Sequence, residues 1–223
     1  DSARGLFTQL LHPGRPDDEH LRELLQEAAT YRLRAHLVAF DIQTQHVSGA
    51  DADNAGLTFL RAFYDSLGLS TVLAFAEREL DLQWAGLYER FLRLYKERAG
   101  APWSEEKDFL ASSNLFAECL AELMPDRYRS AELAHDSLRL ALDKLHASNI
   151  AEVVDRMLRW LEARQAEGDG PLRLVFVADE VGAWAGGNRQ RIEQLRSLVE
   201  TVASKGKGRI WLIVTSQENL SAV

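Results

Sequence analysis

Leu174-Val-Phe-Val-Ala-Asp-Glu180 decides the fold, together with its echo thirty residues on, Ile210-Trp-Leu-Ile-Val-Thr-Ser-Gln217. Each is a short apolar run that stops abruptly in polar residues. Runs of this length, rich in Val, Ile and aromatic residues, read as strands. Their lack of polar alternation is the pattern of parallel strands buried in a sheet. Between them, Ile192, Leu195, Leu198, Val199 and Val202 recur at helical spacing. Strand, amphipathic helix and strand in about 45 residues make a βαβ unit, whose crossover is right-handed. The expectation is two adjacent parallel strands at 172–178 and 209–215, with a helix at 190–204 packed on one face.

Working outward, Arg34-Ala-His-Leu-Val-Ala-Phe-Asp41 reads as a further strand of the same sheet. Before it, Pro13, Gly14 and Pro16 form a loop. Asp17 or Asp18 is placed to cap a helix bearing Leu21, Leu24, Leu25 and Ala28 on one face. Residues 43–54 are polar and read as a loop. The clearest helix follows Asn149, which with Glu152 has the spacing of a capping box; Ile150, Val153, Val154, Met157, Leu158 and Leu161 form its stripe.

Residues 55–147 carry helical patterns and few β-branched runs. Leu57, Leu60 and Tyr64 share a face, and Trp84, Leu87, Tyr88, Phe91, Leu94 and Tyr95 make an aromatic stripe. Such stripes favour helix–helix packing over a ligand groove. Breaks fall at 100–104, where Ser104 is placed to cap the next helix, and at Pro125. The expected organisation is an α/β core beginning at 1–54, a helical insertion at 55–147 forming a lobe beside the sheet, and the rest of the core at 148–223.

Composition narrows the function. Apolar residues make up 46% of the chain, enough for a core. The net charge of −8 argues against a self-sufficient nucleic-acid binder, which needs a basic face. Cys119 is the single cysteine, which excludes an internal disulfide framework and fits a reducing cytoplasm. No run of 18 apolar residues predicts a membrane span. The chain starts Asp1-Ser-Ala-Arg4, without Met or a signal-peptide pattern, and stops soon after a strand. It reads as a fragment of a larger protein.

The chemistry sits where the two strands end. Carboxyl ends of parallel strands are where α/β proteins bind ligands. There, Asp179 is placed to hold Mg²⁺ through water and Glu180 to polarise an attacking water. Thr215, Ser216 and Gln217 are placed as a polar sensor beside a γ-phosphate. The plainer alternative is a strand ending in two solvated acids and a Ser that caps a turn; two neighbouring strands with these endings favour the ATPase core. Yet no G-x-x-x-x-G-K-[ST] occurs in residues 1–223. Lys205-Gly-Lys-Gly-Arg209 resembles a phosphate loop only in composition: it follows a helix, where basic residues and Gly serve as a cap. Arg189 and Arg191 read as solvated residues at a helix start, with an arginine finger acting across an interface as the sharper alternative. Asp41 ends its strand either as a turn former or as a third acid. There is no G-x-S-x-G, H-E-x-x-H or C-x-x-C, and the six histidines are scattered.

The run Val177-Ala-Asp-Glu-Val-Gly-Ala-Trp184, the helix after it and Gly208-Arg-Ile-Trp-Leu-Ile-Val-Thr-Ser-Gln217 resemble the large P-loop ATPases of the bacterial BREX and Pgl phage-defence systems, the PglY/BrxC type. The family pattern is an Asp-Glu-Val-Gly strand end followed by a Thr-Ser-Gln strand end. Asp179, Glu180, Val181, Gly182, Thr215, Ser216 and Gln217 match it, and the specific likeness spans about 45 residues. The resemblance implies a partial P-loop NTPase-like parallel sheet with a large helical insertion. It implies ATP and Mg²⁺ as cofactors of a full-length parent, a phosphate loop upstream of Asp1, and other defence-system proteins as partners, with self-association possible. Without that loop, tight nucleotide binding and turnover are not expected of this segment. Two other readings stand beside it: a non-catalytic interaction module on a degenerate ATPase scaffold, and a Mg²⁺-dependent nuclease or hydrolase using Asp179, Glu180 and Asp41.

Overall fold

The computed structural model describes residues 16–45 and 54–216. Gln217, His12, His46 and most of the predicted 43–54 loop lie outside them.

Three strands form one parallel sheet in the order β1 (Arg34–Asp41), β2 (Leu172–Asp179), β3 (Ile210–Val214). β1 pairs with β2 from Arg34↔Leu172 to Asp41↔Asp179, and β2 with β3 from Leu174↔Ile210 to Ala178↔Val214. β2 is therefore central, and β1 and β3 are the two edges among the described residues.

Ten helices complete the described residues: α1 (Pro16–Thr30), α2 (Ala55–Ser66), α3 (Leu73–Trp84), α4 (Tyr88–Ala99), α5 (Trp103–Glu106), α6 (Ser113–Leu123), α7 (Ala131–His146), α8 (Ile150–Ala166), α9 (Val181–Ala185) and α10 (Arg189–Gly206). Short 3-10 turns lie at Ile42–Thr44 and Leu110–Ser112. The protein is a mixed α/β structure in which helix dominates.

Helices α2, α8 and α10 pack against β1, β2 and β3 respectively. They meet the face carrying Val38, Leu172, Leu174, Phe176, Ala178 and Ile210, all buried. Both crossovers step in the same direction along the sheet, so right-handed connections lay their helices on one face. Phe59 of α2 anchors this layer, with its ring 5.2 Å from Phe40 and 5.3 Å from Phe176. Phe63 meets Trp160 of α8 edge-on at 5.2 Å.

The opposite face is bare among the described residues. Leu37 is 59% exposed, Trp211 57% and Ile213 49%. They flank Val175 and Val177, which are half-buried. The apolar runs predict strands covered on both sides; the structure covers one. The unbroken apolar runs are those of Leu174–Ala178 in β2 and Ile210–Val214 in β3, which are apolar on both faces.

A second hydrophobic cluster belongs to α3–α7. Trp103 is its hub, with ring centroids 5.6 Å from Phe75, 5.5 Å from Phe91, 4.9 Å from Tyr95 and 4.8 Å from Phe116. Helix α3 is the shared wall. Its Leu73, Ala76 and Leu80 join the sheet cluster, while Phe75 and Leu82 join the aromatic one. The lobe thus begins at α3, since α2 lies on the sheet.

Several local expectations need correction. The stripe from Trp84 to Tyr95 is not one helix: Gly86, at φ +68°, closes α3 and the chain restarts at Tyr88. Ser104 lies inside α5, whose N-cap is Pro102. Helix α1 starts at Pro16, the favoured first-turn position for proline, so Asp17 and Asp18 fall within the helix. Asn149 is the N-cap of α8: its Oδ1 accepts from Glu152 N at 3.0 Å, while Glu152 Oε1 accepts from the Asn149 side-chain Nδ2 at 3.2 Å rather than from the backbone N–H of a full capping box.

Candidate functional site

β2 ends because its backbone turns sharply. Glu180 adopts a left-handed conformation, φ 58° and ψ 28°, and becomes the N-cap of α9. A residue with a Cβ pays for this geometry in steric strain of roughly 1–2 kcal/mol. The fold holds it with three bonds. Trp184 N donates to Glu180 O at 3.0 Å, Val181 N to Thr215 O at 3.1 Å and Thr215 N to Ala178 O at 3.0 Å. Beneath them Val181, Trp184 and Ala185 are buried, together with Ile42 from the turn after β1.

This turn places the acids at the carboxyl edge of the sheet. Asp179 Oδ1 accepts from Glu180 N at 2.9 Å and from the Thr215 hydroxyl in a short bond. The Thr215 bond, and then the backbone bond, hold the Asp179 carboxyl below the ordinary carboxylate range. Asp179 is exposed and ionised at neutral pH. Asp41 is its register partner on β1. Asp41 also forms the turn: Oδ1 accepts from Gln43 N at 2.8 Å, and its carbonyl accepts from Thr44 Oγ1 at 2.8 Å. The turn-forming reading of Asp41 is the one these bonds support, while its register places it at the same end of the sheet as Asp179.

Of the residues singled out in the sequence, Asp179, Glu180 and Thr215 are brought together. Ser216 is the last described residue of the edge, and Gln217 lies outside the described residues. Sequence reasoning grouped Thr215 with ligand-sensing residues. In the structure its hydroxyl orients Asp179 across the strand pair, a contact that needs the β2–β3 register. The left-handed turn at Glu180 was also not foreseen, because Glu carries no propensity signal for it.

Arg189 donates to Glu193 at 2.9 Å, as a surface helix pair. Arg191 lies 5.2 Å over the Trp184 ring and donates to the Trp184 carbonyl at 2.5 Å. It therefore clamps α9 to α10. The basic loop after α10 is a helix end: Lys207 is left-handed at φ 49°, Lys205 pairs with Asp155 at 2.6 Å and Arg209 with Glu162 at 3.0 Å. Among the described residues no group of three or more His, Cys, Asp or Glu side chains is placed to hold a metal, and no helix is long and apolar enough to cross a membrane.

The arrangement fits one end of a Mg²⁺–triphosphate. Mg²⁺ keeps most of its waters and asks the protein for one or two carboxylates. Asp179 is such a group: exposed, ionised and held in one orientation by two donors. The phosphate end has no match, since the chain contains no phosphate-loop motif. No family model matches the chain, and no solved structure matches it.

Proposed function

We propose that this chain is part of a bacterial P-loop ATPase of the phage-defence type, acting in the cytoplasm with ATP and Mg²⁺ in a longer parent. The observation that carries the reading is the hydrogen bond from Thr215 to Asp179 across neighbouring parallel strands, with Glu180 next in line at the same edge. Mg²⁺–ATP supplies the phosphoryl group and the charge neutralisation. Asp179 would take a hydrogen bond from metal-bound water. Thr215 holds the Asp179 rotamer. Glu180 stands on a separate backbone orientation, free of the strand's alternation, to orient a water. Ser216 and Gln217 continue the chain into the proposed sensor position. Hydrolysis would drive conformational change or assembly, with other defence-system proteins or a second copy as partners.

The edge position of β3 supports this reading. In the parent, the strand that carries the phosphate loop pairs with Ile210–Val214, and its neighbours cover Leu37, Trp211 and Ile213. Most phosphate affinity comes from loop N–H groups, the loop Lys and a helix N-terminus. The 223-residue chain is therefore expected to show no micromolar ATP binding by calorimetry. In the parent, Glu180→Gln is expected to keep ATP binding while turnover falls by at least about a hundredfold, the scale of a lost general base. Micromolar binding by the short chain, or full turnover in the Gln variant, sinks the proposal.

A second reading is a non-catalytic docking module. The bare apolar face of the sheet favours it, because exposed patches of this kind mark interaction surfaces. ATP binding by the parent separates the two.

A further inference from the structure

Between the sheet edge and α10 lies the short helix α9, whose last turn is gripped from outside by Arg191. We propose that Arg191 is the positioning residue for Glu180, acting through Trp184, on the reading that Glu180 is the acid that orients water.

α9 does not hold its own shape. It has five residues, little more than one turn, and an isolated helix of that length does not persist in water. Its flanks are left-handed: Glu180 at φ 58° before it, Gly186 at φ 50° and Gly187 at φ 70° after it. The glycines adopt that geometry without strain, and Glu180 does not. Released from its contacts, Glu180 relaxes toward the ordinary backbone regions, and its carboxylate leaves the edge beside Asp179.

Trp184 is the relay. Its N–H donates to Glu180 O at 3.0 Å, so the place of the Trp184 peptide fixes the Glu180 carbonyl. Its side chain is buried with Val181 and Ala185. Its carbonyl belongs to the last turn of α9, where helix carbonyls lack partners. The amide four residues on, Asn188 N, goes instead to Ala185 O at 2.6 Å. Arg191 supplies the donor: Nη1 meets Trp184 O at 2.5 Å, and the guanidinium lies 5.2 Å over the indole. One planar cation thus grips both the peptide and the ring of Trp184.

Arg191 is itself fixed. It stands in the first turn of α10, where the Asn188 side chain accepts from Gln190 N at 2.9 Å and from Arg191 N at 3.3 Å. α10 is anchored in the core by Leu198 and Val202. The path from α10 through Arg191 and Trp184 therefore ties Glu180 to the helix layer. Arg196, by contrast, makes an exposed pair with Glu200.

Amide hydrogen exchange on the 223-residue chain tests the link without nucleotide. The Val181 and Trp184 amides, whose bonds flank Glu180, are expected to exchange about tenfold faster in Arg191→Met, the scale of one lost hydrogen bond to a charged group. Amides in the middle of β2 should keep their rates. Arg191→Lys, which retains a cation and a donor, is expected to recover most of the protection, and Arg196→Met to leave both amides unchanged. In the parent, Arg191→Met is expected to lower kcat at least about fivefold with KM for ATP unchanged, as a misplaced group does, and Arg191→Lys to restore most of it. Unchanged Val181 and Trp184 amides, or faster exchange across the whole sheet, overturn the positioning role. So does a parent variant that raises KM and leaves kcat in place. A parent without ATP turnover sinks the proposed function instead, and the exchange at Trp184 still decides whether Arg191 holds Glu180.

Discussion

Glu180 and Glu79 show how differently the two regions of this molecule use the same side chain. Glu180 stands at the sheet edge, on a strained turn, in contact with solvent. Glu79 lies in the helical lobe with 0% of its surface exposed. Ser70 N donates to Glu79 Oε2 at 2.7 Å; Trp103 Nε1 and Tyr88 Oη donate to Oε1 at 2.7 and 2.8 Å. Burial raises the Glu79 pKa, and the three donors pull against that rise. A perturbed, buried acid here ties α3, α4 and α5 into one unit. The acids at the sheet edge, Asp179 and Glu180, are the ones proposed for chemistry. Burial with a full set of protein donors marks a structural carboxylate; exposure at the carboxyl end of parallel strands marks a candidate for function.

The sharpest break in this comparison comes from Trp103. Trp103→Ala removes the hub of the aromatic cluster and a donor to Glu79, and is expected to cost about 4 kcal/mol. Denaturant unfolding followed by near-UV circular dichroism checks this. A loss under about 1 kcal/mol would mean that the lobe is not organised around this ring.

Next in size is Glu79. Glu79→Ala leaves three buried donors without an acceptor and is expected to cost about 3 kcal/mol. Glu79→Gln keeps the shape but turns an amide N–H₂ toward a donor, for about 1–2 kcal/mol. The pH dependence has a definite sign. A carboxyl whose pKa is raised on folding contributes stability below its unfolded value, and that contribution is lost as pH rises through the folded value. The difference in stability between the wild-type chain and Glu79→Gln should therefore shrink as pH rises from the ordinary carboxylate range. His36 runs in the opposite direction to pH. Its pKa is lowered by burial and by Arg164, so its contribution is present above 6.5 and lost as pH falls below it. Ring-proton titration by NMR should show His36 titrating below an ordinary histidine.

Smaller effects belong to the sheet. Thr215→Val should raise the Asp179 titration midpoint toward an ordinary Asp in ¹³Cγ NMR while leaving the denaturation midpoint in place. An unmoved Asp179 would remove Thr215 from the site. Trp211→Ser should change the stability of this chain by less than about 0.5 kcal/mol, because the ring is mostly in water. In a parent where the face is covered, the same substitution should cost about 3 kcal/mol. That contrast measures whether the bare face is interior in the parent.

Much of the frame was legible in the residues. The strands expected at 34–41, 172–178 and 209–215 and the helices expected at 149–165 and 190–204 follow from period and capping, and each is present within one or two residues of those bounds. Asn149 caps where Asn-x-x-Glu says it should, and Lys205 to Arg209 end a helix as their place after one requires. Less visible was the split of the aromatic stripe at Gly86, because an isolated glycine within a helical pattern is often tolerated. The membership of α2 in the sheet layer was hidden for another reason. An amphipathic helix declares that one face is buried, but not against what.

By itself, then, the sequence determined the elements, their periods and the polar residues at two strand ends, since these depend on local propensity and side-chain order. The tertiary structure alone decided that Thr215 holds Asp179, that Asp41 stands opposite it, that Glu180 turns left-handed and that Glu79 is a buried lock. Each of these depends on register or packing between residues distant in the chain. Strand register sets which side chains meet across a sheet, and packing sets which carboxylates keep their water.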